Sequence, residues 1–387
     1  MPDGREPVSV KIAGSIFDID AGEWDACAGD RDPFVGHAFL GALEASGSAH
    51  PESGWLAQHL AIEDETGRLV ACAPLYLKDH SYGEYVFDWG WADAYQRAGG
   101  SYYPKLQSAV PFVPATGRRL LLRPDAPASL ANALASGMAQ LASRLGVSSV
   151  HVTFPTEAEW RGLGKAGYLL RLGRQFHWEN RGYKTFDDFL ASLTSRKRKV
   201  IRKERRAVAE SGVTLEVLTG DGIEERHWDA FYRFYLNTTD RKWGPAYLNR
   251  AFFSHLHETL RDRVVLVIAE AGGSPVGGAL NLLGADTLYG RHWGCSADYK
   301  FLHFEACYYR AIDFAIERGL KWVEAGAQGP HKIQRGYLPR ATYSAHWIAD
   351  PGLKNAVARF LDEERREVAG EMRLYAQGSP YRRDDGA

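Results

Sequence analysis

One stretch concentrates side chains that could do chemistry, Glu324-Ala-Gly-Ala-Gln-Gly-Pro-His-Lys-Ile-Gln-Arg-Gly-Tyr-Leu-Pro-Arg340. It follows an apolar, strand-like run (Leu320, Trp322, Val323) and sets Gln328, His331, Lys332, Gln334, Arg335 and Arg340 among three glycines and two prolines. Gly and Pro restrict where such a backbone can go, and polar groups held on a loop by a rigid scaffold are a common form of site. Glu324 is a candidate base, and His331 a candidate base or phosphate ligand. Gln328, Lys332 and Arg335 are candidate substrate contacts, with Arg335 suited to a bidentate anion. A basic surface loop is the plain alternative.

Two further sets stand out. Arg291-His-Trp-Gly294 makes Arg291 and Trp293 candidate binding residues at a strand end. Glu84, Asp88, Trp89, Tyr103 and Lys105 form an acidic–aromatic set that could hold a cationic amine, the rings adding cation–π contact. Read as part of a strand, Ser81–Trp89 would put Glu84 and Asp88 on one face. Between Arg196 and Arg206, eight of eleven residues are basic and only Glu204 opposes them. Solvated helices usually mix signs for i,i+4 pairing. Arg196, Arg198 and Arg202 are therefore candidate anion contacts, for phosphate on a nucleotide or tRNA.

These residues need elements to hold them. In the first half, His59–Glu63 and Leu69–Leu77 read as a hairpin around a Gly67 turn, Ser81–Trp89 as a third strand and Leu106–Val113 as another. A helix from Ala128 to Leu145 leads through Gly146 into a strand, Ser149–Phe154. The second half repeats that order. It has a hairpin at 264–283, a strand at 287–293, a helix at about 304–318, then Gly319 and a strand at 321–324. The repeat predicts a duplicated mixed α/β chain with domains at 1–178 and 179–387, the second including a basic helical segment at 186–210.

Composition bounds the classes. With 387 residues, 45% hydrophobic, 25% charged and a net charge of −1, the chain has no global pull toward nucleic acid or membrane. No run of about 18 apolar residues and no apolar leader core is present, so membrane insertion and export are not expected and a cytoplasmic protein is. Four cysteines without CxxC spacing read as reduced thiols. The nearest metal candidate, Cys295 and Cys307 with His292 and His303, lacks the tight Cys pairing that zinc favours, and no metal is expected.

The doubled unit with a basic helix between its copies resembles the FemAB-like tandem GNAT family, the bacterial predicted N-acyltransferases of the peptidoglycan biosynthesis/recognition group. The resemblance is carried by Leu75–Trp89, Tyr102–Gln107, Val110–Arg118, His303–Tyr309 and Glu324–Arg340, and it covers roughly His37 to Trp347. It implies two GNAT-like domains and transfer of an acyl or aminoacyl group from acyl-CoA or aminoacyl-tRNA to an amine on a small molecule or peptide. A CoA-using GNAT has a Gln/Arg-x-x-Gly-x-Gly/Ala loop at a helix start, where N–H groups meet pyrophosphate. This chain has Gly294-Cys-Ser-Ala-Asp-Tyr-Lys300 there, and Pro114-Ala-Thr-Gly-Arg-Arg119 in the first copy. The alternative from another class is a non-catalytic module that binds tRNA, nucleotide or cell-wall precursor.

Overall fold

The computed structural model describes residues 9–242, 246–327 and 329–382. The chain divides into two compact units, Met1–Gly173 with Thr342–Glu367, and Arg174–Ala341 with Val368–Ala387.

Unit 1 begins with β1 (Lys11–Ala13), α1 (Ala21–Ala28), α2 (His37–Ala45) and β2 (Leu56–Ala57). β3 (His59–Glu63) and β4 (Leu69–Ala73) form the expected hairpin, but its return strand does not run on to Leu77. Pro74, which has no N–H for a ladder, ends β4, and β5 (Tyr76–Lys78) then pairs in a different sheet. The expected strand Ser81–Trp89 is irregular, and α3 (Trp89–Arg97) follows it. β6 (Lys105–Ser108) is shorter than Leu106–Val113 would be, because the chain leaves the ladder for turns at residues 111–112. After β7 (Leu121–Leu122), helix α4 (Leu130–Leu145) ends on Gly146 in the left-handed region at φ +65°. It carries the chain over to β8 (Ser149–Thr153), parallel to β6. Leu134, Met138 and Leu141 of α4 face Leu60, Leu106, Val150 and Val152 to make the core of this unit. α5 (Glu157–Lys165) is closed by a Thr156/Glu159 capping box.

The chain leaves unit 1 within β9 (Leu169–Glu179). In unit 2, α6 (Phe186–Ser192) and α7 (Ser195–Ala209) are the two pieces of the basic segment. β10 (Val213–Thr219), α8 (Glu225–Lys242) and α9 (Arg250–Leu260) precede β11 (Val264–Ala271), β12 (Ser274–Leu283) and β13 (Thr287–Cys295). Short helix α10 (Leu302–Phe304), a π-helical turn at Glu305–Tyr309 and α11 (Arg310–Glu317) lead to β14 (Trp322–Glu324), parallel to β13. Strand order here is β10-β11-β12-β13-β14-β9. The β11 run VVLVIA is buried throughout, as a strand covered on both faces should be. The chain returns to unit 1 within β15 (Leu338–Ile348) and continues into α12 (Pro351–Gln377).

Both units therefore contain a strand, a crossover helix and a parallel strand: β6-α4-β8 and β13-α10/α11-β14. No described helix is long and apolar enough to cross a membrane.

Candidate active site

In unit 2 the parallel partners are Thr287↔Trp322, Leu288↔Val323 and Tyr289↔Glu324. Beyond that point β14 ends while β13 runs on for six residues, so the pair opens at its carboxyl end. A cleft of about 280 Å³ lies there, in the position where open α/β sheets take ligands. Arg291, His292 and Trp293 line it from β13, Asn281 from β12, His303, Cys307 and Tyr308 from the crossover, and His331 and Lys332 from the loop after β14.

Local irregularities aim these side chains. Leu280 pairs with His292 and Asn281 with Gly290, so Arg291 is the extra residue of a β-bulge, a device that re-aims side chains beside active sites. The π-helical turn carries Cys307 and Tyr308, and such turns are frequent at functional sites. Gly329 lies at φ +94°, and a Cβ there would sit 2.2 Å from the His331 ring, so only glycine lets His331 take its place.

Lys332 is 5% exposed. Its Nζ donates to the carbonyl oxygens of Ala325 and, at 3.2 Å, Gly326. Among the described residues no carboxylate pairs with it. Burial pulls its pKa down to about 8. His331 Nε2 lies 3.1 Å from the Tyr308 hydroxyl, and burial, then Arg335 and Lys332, lowers its pKa, so the ring is neutral at pH 7. His292 is driven down to about 3 by burial.

Arg335 is not among the cleft-lining residues, although the loop was expected to turn it inward. Its Nη2 donates to Glu204 at 2.7 Å, its Nη1 to the His331 carbonyl at 2.8 Å, and its guanidinium stacks 3.5 Å from the Phe304 ring. Glu204 also accepts from the Tyr309 hydroxyl. The one acid in the basic run thus anchors the loop from the buried side of α7, and Arg335 positions His331 through its carbonyl. Lys197 of α7 reaches Gln334 in the same loop. Glu324 lies beside His177, Oε1 to Nδ1 3.8 Å; burial takes His177 down to about 3, which leaves it uncharged. Arg340 stacks on Trp322 at 4.1 Å. Gln328 lies outside the described residues. On α7, Arg196 and Arg202 are exposed and Arg198 is half-buried; Arg202 pairs with Asp187 at 2.9 Å.

Unit 1 brings Glu84, Asp88, Tyr103 and Lys105 together, although Glu84 and Asp88 share no strand. The irregular chain turns both carboxylates inward onto Lys105, whose fully buried Nζ donates to Glu84 at 2.7 Å, Asp88 at 2.6 Å and Ser81 at 2.8 Å. The cation expected from a ligand is thus supplied by the protein. Tyr102 donates to Asp88 at 2.7 Å and lies 3.3 Å from His151, which meets His346 at 2.7 Å. Burial pushes Glu84 up to about 7. For Asp88 burial acts upward, but Lys105 and His151 outweigh it and hold the carboxyl well below its usual range. Lys78, the cross-strand partner of Lys105, sits over the Trp55 ring at 3.8 Å, and burial brings it down to about 7. Three aromatic side chains of this segment face out: Tyr82, Phe87 and Trp89 are 56%, 57% and 48% exposed. Sequence reasoning missed Ser81, Lys78, His151 and His346. The two histidines sit in alternating strand patterns that look like ordinary core.

A family model described as FemAB-like, peptidoglycan biosynthesis/recognition, matches residues 15–383. The chain belongs to the FemAB-like family. Membership makes it a transferase of the GNAT/FemAB type, moving an acyl or aminoacyl group to an amine. No curated protein sequence matches it. Among solved structures, FemX is similar at 11% identity and TM-score 0.54, over 88% of this chain and 98% of its own. The C-terminal domain of a putative lysylphosphatidylglycerol synthetase from Agrobacterium fabrum has 10% identity and TM-score 0.55, over 90% and 97%. L-PGS from Bacillus licheniformis has 12% identity and TM-score 0.52, over 86% and 98%. At such identities the likeness concerns fold, and this FemAB-like chain has the tandem GNAT-like, mixed α/β fold that the family resemblance implies. Among the described residues no group of three or more His, Cys, Asp or Glu could hold a metal ion.

Proposed function

We propose that the unit 2 cleft is the transfer site and that Lys332 donates to the oxyanion that develops on the acyl carbonyl. The observation that carries this is the state of Lys332. Its ammonium is buried at the open end of a parallel strand pair, spends two of its three N–H groups on backbone carbonyls, and has no carboxylate partner among the described residues. An unshared buried cation is costly and suits a site where negative charge appears in the transition state. The amine nitrogen attacks the carbonyl carbon, the bond to the carrier breaks, and the amine proton passes to the leaving group. Neutral His331 is the base. Glu324, set beside neutral His177, is the competing base.

A tRNA ester is better supported as donor than acyl-CoA. The helix start after Gly294–Lys300 spends its N–H groups internally: Leu302 donates to Tyr299 O, and Phe304 and Glu305 to Phe301 O. Little remains there for a pyrophosphate. Helix α7, joined to the catalytic loop through Lys197 and Glu204, instead offers exposed Arg196, Lys199, Arg202, Lys203 and Arg206 to a polyanion. The family description supports an amine on a cell-wall precursor as acceptor. Incubating the protein with labelled aminoacyl-tRNAs and acyl-CoAs in the presence of amino-sugar peptides tests this. Label should reach the peptide amine from the tRNA ester. Transfer from acyl-CoA alone would reverse the choice of donor, and tight binding without turnover would favour a non-catalytic binding module.

A further inference from the structure

One edge of the His331 imidazole is turned to its own loop. A Cβ built at Gly329 would sit 2.2 Å from its Cε1 and 2.5 Å from its Nδ1. The opposite nitrogen, Nε2, lies 3.1 Å from the Tyr308 hydroxyl, and both side chains line the cleft. A phenol is a stronger acid than the N–H of a neutral imidazole, so the Tyr308 O–H donates and Nε2 accepts. The ring hydrogen then belongs on Nδ1. In this arrangement Nε2 is already covered by Tyr308, whose oxygen keeps acceptor capacity of its own. Tyr308 is held firmly in that place. It belongs to the π-helical turn Glu305–Tyr309. Its ring stacks with Phe304 at 6.0 Å and meets Tyr337 edge-on at 5.4 Å, and its carbonyl accepts from the Tyr337 hydroxyl at 3.2 Å. Burial pushes its pKa up, so the hydroxyl keeps its proton and gives one up only as it takes another.

We infer that Tyr308 is a further catalytic residue of the transfer, the hydroxyl through which the attacking amine passes its proton to His331. This role rests on the transfer reading and adds a residue to the same site. As the amine nitrogen bonds to the carbonyl carbon, its proton moves to Tyr308 Oη while the Tyr308 proton moves to His331 Nε2. The oxyanion then re-forms the carbonyl, and the carbon–oxygen bond to the carrier breaks with its electron pair going to the leaving oxygen. The imidazolium returns a proton to that oxygen through the same hydroxyl. Ester and amine become amide and alcohol, and both side chains regain their starting forms. A hydroxyl suits this relay because it donates and accepts at once.

Tyr308→Phe removes the oxygen and keeps the ring. Single-turnover transfer by the full chain, from labelled aminoacyl-tRNA to an amino-sugar peptide, should slow by roughly 10²–10⁴-fold. Donor affinity and the denaturation midpoint should stay close to the parent's. The double variant Tyr308→Phe/His331→Ala should transfer within about threefold of the slower single variant, because groups that act as a unit are not additive. In mixtures of light and heavy water the parent rate should curve with deuterium fraction, as two protons in flight require. A hydroxyl that only holds the imidazole in place would leave that dependence linear. The resting state is readable without turnover: in protein labelled with nitrogen-15 histidine, the His331 signals, assigned by their loss in His331→Ala, should show a hydrogen on Nδ1 and none on Nε2. A hydrogen on Nε2, a linear deuterium dependence, or single effects that multiply in the double variant would each overturn the relay. Slow transfer by His331→Ala with parent-rate transfer by a folded Tyr308→Phe protein would overturn the relay and leave the transfer reading standing. A parent protein that transfers from no donor would sink that reading and the relay with it.

Discussion

Two buried lysines, one in each unit, answer the same electrostatic problem in opposite ways. Lys105 in unit 1 has two carboxylates and a serine within 2.8 Å, and they raise its pKa against the effect of burial. Lys332 in unit 2 has two backbone carbonyls and no carboxylate among the described residues, and burial lowers its pKa to about 8. A compensated charge holds structure together, and removing it strands its partners. An uncompensated charge weakens the fold at neutral pH and is useful only if something anionic arrives. The tandem units share a fold, but their buried charges differ: one lysine is closed in by two carboxylates, and the other has only backbone carbonyls and no carboxylate among the described residues.

The largest effect should come from breaking the compensated side. Lys105→Met leaves Glu84 and Asp88 buried without a cation, and should cost about 3–5 kcal/mol in chemical denaturation. Lys332→Met should cost less than about 1 kcal/mol, since it strands no charge. Similar losses for the two variants would erase the contrast.

Within unit 2, His331→Ala should slow transfer by roughly 10²–10⁴-fold if His331 is the base, with the protein still folded. Glu324→Gln should have the smaller effect. The reverse order in single-turnover rates would move the base to Glu324.

A smaller and graded effect is expected with pH. Lys332 donates in its protonated form, so transfer should fall as pH rises through about 8, and Lys332→Arg, which stays charged, should lift that alkaline limb. A rate that is flat from pH 7 to 9.5 would mean that Lys332 is not titrating in the step.

The smallest change in the fold should come from Arg196→Glu, Arg198→Glu and Arg202→Glu together. The melting temperature should stay nearly unchanged, while tRNA affinity drops and the slope of log K against log salt shrinks by up to about 2.7. Unaltered affinity across low and moderate salt would leave α7 as a solvated helix.

The sequence shows the repeat plainly because Gly146 and Gly319, each ending a crossover helix at positive φ, and the two hairpins are local signals. It cannot show where a strand changes sheets. Pro74 does this, and so the Ser81–Trp89 run loses the alternation assumed for it. The candidate stretch is legible because glycines and a proline enclose His331 and Lys332. The roles of its cations are less legible, because they depend on partners far along the chain. Arg335 and Glu204 are 131 residues apart and meet at 2.7 Å, whereas Lys332 meets no carboxylate among the described residues. Spacing alone gives the two residues the same appearance. The Arg291 bulge is likewise invisible until the β12–β13 register is known.

The central claim, that Lys332 stabilises the transition state of transfer in the unit 2 cleft, is tested most directly by single-turnover transfer and equilibrium donor binding measured side by side on Lys332→Met. The structure predicts a rate lower by roughly 10²–10³-fold with donor affinity within about threefold of the parent and an unchanged denaturation midpoint. A folded Lys332→Met protein that transfers at the parent rate would contradict it.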